Sequence, residues 1–244
     1  MQKGDSTDLG QLISRSKATN PVADEVRKFI VVAVPRSGST FLINCIANSC
    51  DVFLPNVNQY ELFNVYEKLF NSYALHLDGS TEVGMLDGFF AVADRSPAGL
   101  KTIPGFHREW HAIVSRQDIQ FITLFREDFL SCLASYIVSD IHGGWNHPGR
   151  QQLNSRKLVF QELYPTEQKL TTSLGATLNY LVFNYRAVEE LNLREQTIRL
   201  TTEEMLLPQA CNERLNRFFG SSLSFSTFRP PTHYSECVSE NGFE

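Results

Sequence analysis

Several features are missing from this 244-residue chain, and each absence narrows what it can do. No apolar run approaches the ~20 residues that a membrane helix needs. The opening Met1-Gln2-Lys3-Gly4-Asp5-Ser6 lacks the apolar core of a secretory signal. Basic charge is not in excess: 22 Lys and Arg against 27 Asp and Glu give a formal net charge of -5, which argues against a nucleic-acid partner. Any anionic ligand must therefore be held by local positive groups, against the overall sign. Five cysteines (Cys45, Cys50, Cys132, Cys211 and Cys237) form no C-x-x-C pair, and their odd number suits reduced thiols of a cytoplasmic protein. Internal repeats and low-complexity blocks are absent. One domain over 26–244, behind a loose polar leader at 1–25, is the expectation.

Two phosphate-binding signatures are missing as well. The Walker A loop requires a lysine after its second glycine, and the dinucleotide fingerprint requires three spaced glycines; the chain has neither. What it does have is Phe29-Ile30-Val31-Val32-Ala33-Val34, a β-branched apolar run that reads as a strand buried on both faces. Pro35-Arg36-Ser37-Gly38-Ser39-Thr40 follows at once as a turn, and Phe41 to Ala47 reads as a helix. A turn between strand and helix aims backbone N–H groups outward at the positive end of the helix dipole. Ser37, Ser39 and Thr40 add hydroxyls, Arg36 adds a fixed charge, and Gly38 permits close backbone approach. The turn reads as a binding site for a phosphate-like group.

Further along, Leu62, Tyr66, Leu69 and Tyr73 recur at helical spacing, whereas 76–99 reads as irregular. A helix is expected over about 106–116. Ile119 to Phe125 reads as a second buried strand, followed by a helix capped by Asp128. The stretch 141–156 has the composition of a mobile loop, and with 76–99 it forms a candidate lid over an acceptor. Glu167 to Asn192 reads as a long helix, Thr197 to Leu200 as a third strand, and Glu203 to Phe219 as a last helix. Strands alternating with helices point to an α/β fold with a central, mainly parallel sheet.

Arg126 stands at the end of the second strand, where ligands of open α/β sheets gather, and Ser135 lies in the helix that follows. Alone, these would read as a surface arginine and an ordinary helix serine. Together with the first turn they carry a resemblance. Pro35 to Leu42 resembles the 5′-phosphosulfate loop of the sulfotransferases, and Phe125-Arg126-Glu127-Asp128-Phe129 through Ser135-Tyr136 resembles that family's 3′-phosphate motif. The pattern is similar to the bacterial and carbohydrate branches. Fainter similarity runs through Phe218-Phe219-Gly220 and the tail from Phe228. The resemblance implies a P-loop-like three-layer fold and 3′-phosphoadenosine-5′-phosphosulfate as sulfuryl donor. A carbohydrate or other small-molecule acceptor is implied, and no metal is expected, since sulfuryl transfer can be served by fixed cations and backbone donors.

The same resemblance makes Lys101, in Lys101-Thr102-Ile103-Pro104, the candidate that stabilises charge on the leaving oxygen; Arg36 can share that task. Small-molecule members carry a histidine two residues after this lysine, where this chain has Ile103. Glu61, in Tyr60-Glu61-Leu62-Phe63, resembles the glutamate base of carbohydrate branches. His107 competes for that role, and with His111 it forms a pair four apart on an expected helix. Two alternatives stay open: a P-loop-type kinase, and a binding module for adenosine bisphosphate without catalysis.

Overall fold

The computed structural model describes residues 27–49, 52–54, 81–91, 93, 97–141, 166–195, 197–206 and 208–219. In chain order the described elements begin with β1 (Lys28–Ala33), α1 (Ser39–Ser49), α2 (Glu82–Ala91) and β2 (Ala98–Thr102). A 3-10 turn (Pro104–Phe106), α3 (Trp110–Val114), β3 (Ile119–Phe125) and α4 (Phe129–Ile141) follow. The long α5 (Glu167–Asn192), β4 (Thr197–Thr201), α6 (Thr202–Met205) and α7 (Pro208–Phe219) complete them.

The four strands form a parallel sheet in the order β2-β1-β3-β4. Lys28 pairs with both Ala98 and Ile119, so the strands start level and their carboxyl ends share one edge. Alternate side chains of β1 enter opposite cores, as a strand's two-residue period requires. Ile30, Val32 and Val34 pack beneath α2, α3, α4 and α5 with Leu86, Phe89, Ile113, Cys132 and Leu181. Phe29, Val31 and Ala33 pack on the other face with Leu42, Ile43 and Ile46 of α1 and Cys211 and Leu215 of α7. The result is an α/β fold of three layers. Gly99 is required by this packing: a Cβ there would sit 2.2 Å from the ring of Phe29, which Phe218 and Phe219 already meet edge-on.

Several expectations change. The region 76–99 is not irregular throughout, because 82–91 is α2. Burial of Leu86, Phe89 and Phe90 overrides the weak helix propensity of Gly84 and Gly88. A fourth strand, β2, was hidden in Ala98-Gly99-Leu100-Lys101-Thr102, whose small residues and lysine mask complete burial. The helix expected over 106–116 begins only at Trp110, so His107 and His111 do not share a helix. The last helix is split, with Pro208 starting α7, since proline suits a helix's first position and not its interior. The α5 bounds and the Asp128 cap stand as expected, with Ser131 N–H donating to Asp128 Oδ1 at 3.0 Å. The leader 1–25, the helical pattern 62–73, the loop beyond 141 and the tail after 219 lie outside the described residues. No described helix is long and apolar enough to cross a membrane.

Candidate active site at the carboxyl edge of the sheet

After β1 the chain turns into α1 on one face of the sheet; after β3 it turns into α4 on the other. Between two such strands a crevice opens at their carboxyl ends, where doubly wound folds bind ligands. Both sequence motifs fall at this point. Within the first turn Arg36 has φ 67° and Gly38 φ 87°, and a Cβ at Gly38 would approach Met205 Cε to 3.0 Å. Positive φ costs a non-glycine residue of order 1–3 kcal/mol unless its surroundings impose it. The imposition is visible: the Ser37 hydroxyl, 0% exposed, donates to the Val34 carbonyl at 2.7 Å. Ser37 therefore ties the turn to its own strand, while Ser39 and Thr40 open α1.

Arg36 Nε donates to Ser135 Oγ at 3.1 Å, so the first turn and the second motif touch. Ser135 is buried in α4. Arg126 leaves β3 beside them, and its Nε is buried without a hydrogen-bond partner among the described residues. Such a donor is costly to leave unmet, and it fits an anionic oxygen. Lys101 approaches from β2. It is only 2% exposed, and its Nζ donates to Thr40 Oγ1 at 3.3 Å. Three cationic residues thus stand at three neighbouring strand ends on one edge of the sheet, in a chain whose net charge is negative. Among the described residues no group of three His, Cys, Asp or Glu side chains converges as a metal site.

His107 is placed differently from a base facing an acceptor. Its ring is buried against Trp110; Nε2 meets Thr102 Oγ1, and Nδ1 lies 3.5 Å from Glu82 Oε2. Burial lowers the His107 pKa from its ordinary value of 6.5, with the Glu82 charge and hydrogen bond opposing. The histidine joins α2 to the end of β2, next to Lys101. Glu82 does more there, accepting the N–H groups of Arg108 and Glu109 at 3.2 and 3.0 Å. Glu61 lies outside the described residues.

Sequence reasoning missed Thr202, Tyr185 and Cys132. The Thr202 hydroxyl donates to Ser37 O at 2.8 Å and reaches Phe125 O at 3.3 Å. Tyr185 donates to Arg126 O at 2.6 Å, and Cys132 Sγ donates to Pro35 O at 3.1 Å. The nearest signal to Thr202 is the capping-box spacing of Thr201-Thr202-Glu203-Glu204, which forms between Thr201 and Glu204 and marks a helix start rather than the contacts of Thr202. Tyr185 and Cys132 had none, since both sit on helices among ordinary core positions.

No family model matches the chain, and no curated protein matches it either. Among solved structures the chain is similar to a sulfotransferase domain from the curacin biosynthetic pathway, at 13% identity and a TM-score of 0.40. That likeness covers 83% of this chain and 75% of the other. At this distance it carries nothing about the chemistry, which stands on the residues of the crevice.

Proposed function

We propose that the chain is a sulfotransferase, moving a sulfuryl group from 3′-phosphoadenosine-5′-phosphosulfate to a hydroxyl of a carbohydrate or other small-molecule acceptor. The observation that carries this reading is the 3.1 Å contact of Arg36 with Ser135, because it joins a 5′-phosphosulfate-type turn to a 3′-phosphate-type motif. The donor, when bound, supplies an activated sulfuryl group on a good leaving group. Ser39, Thr40 and the N-terminal turn of α1 hold the 5′ end, with Gly38 letting the backbone approach. Arg126 and Ser135 hold the 3′ phosphate, which gives the buried Arg126 Nε the acceptor it lacks among the described residues.

Lys101, held by β2 and by Thr40, would stabilise the charge that builds on the bridging oxygen. An ammonium placed there before reaction stabilises that charge without reorganising. Arg36 supports the same oxygen from the neighbouring end of β1. Removal of the acceptor proton falls to Glu61 on the strength of its sequence context, since the His107 ring is committed to Thr102 and Glu82. The free thiols Cys45, Cys132 and Cys211 support a cytoplasmic setting.

Incubation with sulfur-labelled donor and a panel of hydroxylated acceptors tests the proposal. Label should move to an acceptor, and Glu61→Gln should stop turnover while leaving adenosine 3′,5′-bisphosphate binding intact. A chain that binds the bisphosphate but transfers to no acceptor is a binding module instead.

A further inference from the structure

We propose that Thr202, Tyr185 and Cys132 are positioning residues that set the spacing between the two anion-holding turns, so that the crevice selects ligands charged at both ends over ligands charged at one. The inference rests on the donor reading given above.

The β1–β3 backbone ladder stops where Val34 N–H donates to Leu124 O at 2.9 Å. Beyond that point the sheet itself no longer fixes one turn relative to the other. Side chains from other elements take over. Thr202, at the exit of β4, places one hydroxyl between the Ser37 carbonyl and the Phe125 carbonyl. It has a single proton, so the two acceptors share it, and its position is set by both turns at once. Tyr185 of α5 holds the Arg126 carbonyl, and Cys132 of α4 holds the Pro35 carbonyl. Each has a single proton, which its carbonyl takes. Burial raises the pKa of both, so each keeps its proton and remains a donor.

The accepting groups are backbone carbonyls of the two turns and of Phe125, the last residue of β3, and none is a group that would meet the ligand. The arrangement therefore acts on distance rather than on contact. A ligand gripped at both ends gains from a preset spacing, because its second end binds without reordering the site. A ligand with one charged end gains nothing from it.

Calorimetric titration of the full chain with adenosine 3′,5′-bisphosphate and with adenosine 5′-monophosphate reads this directly. In Thr202→Val and Tyr185→Phe the bisphosphate affinity should fall about five- to tenfold, as loss of a hydrogen bond in a fixed site implies. Monophosphate affinity should hardly change, and Thr202→Ser should restore the wild-type ratio. Equal losses for both ligands, or an unchanged ratio, would overturn the inference while leaving the donor reading intact. A wild-type chain that binds neither ligand overturns both. If Thr202→Val fails to fold, Tyr185→Phe, which removes one oxygen and keeps the ring packing on Phe125 and Phe129, decides the matter alone.

Discussion

The two edges of the sheet are made from the same four strands and handle charge in opposite ways. At the amino edge, Lys28 meets Asp118 at 2.6 Å, and Arg116 bonds both Asp118 and Asp87. These pairs are partly exposed and mutually balanced, and hydrogen bonds from Arg116 and Lys28 hold the Asp118 carboxyl below its ordinary range. At the carboxyl edge, Arg36 and Lys101 reach the hydroxyls of Ser135 and Thr40, and Arg126 Nε reaches no acceptor among the described residues. At one edge cationic side chains meet carboxylates; at the other the contacts named here are with hydroxyls. Composition could not distinguish them, since both contain arginine and lysine in similar number. What separates them is where the parallel strands point.

Substitutions should break the comparison at one edge and leave it intact at the other. Lys101→Met, which keeps volume and removes charge, should lower kcat about 100-fold in the transfer assay, the loss typical of one preorganised donor. A change below about threefold would remove Lys101 from the chemistry. Arg126→Ala should weaken adenosine 3′,5′-bisphosphate about tenfold by calorimetry, in the range of a charged hydrogen bond; unchanged affinity would place the 3′ phosphate elsewhere. His107 sharpens the picture between the edges. Its pKa is lowered on folding, so the unfolded chain takes up a proton first as pH falls below about 6.5. The stability that its neutral ring contributes is present above that pH and declines below it. Thermal melts between pH 7 and 5 should therefore fall less steeply in His107→Gln than in wild type.

The smallest effect belongs to the amino edge. Asp118→Asn should cost less than about 1 kcal/mol in denaturant melts, because the pair is open to solvent and screened by salt. The wild-type contribution is present above pH 3.8 and lost as pH falls below it, since folding depresses this carboxyl. Bisphosphate affinity should not move.

Much of this could be read from the sequence, for reasons specific to each element. β1 and β3 are β-branched apolar runs with no other reading, and Glu167–Asn192 is long enough for its period to identify it. The Arg36 turn could be seen because strand, small polar turn and helix follow one another without a gap. β2 could not, because Gly99 is there for the Phe29 ring, a partner about 70 residues away in sequence that no local pattern reveals. The same holds for His107: its spacing to His111 suggested a helix face, but Pro104 fixes a tight turn first and burial against Trp110 decides its role. Thr202, Tyr185 and Cys132 escaped notice because their acceptors are carbonyls of distant segments.

The most direct measurement is the melting temperature of the wild-type chain with adenosine 3′,5′-bisphosphate and, separately, with Mg-ATP. At about 100 times its dissociation constant the bisphosphate should add about 2.7 kcal/mol and raise the melting point by several degrees, with a smaller rise for Mg-ATP at equal concentration. No rise with the bisphosphate, or an equal or larger one with Mg-ATP, would contradict a crevice built for an adenosine compound charged at both its 3′ and 5′ ends.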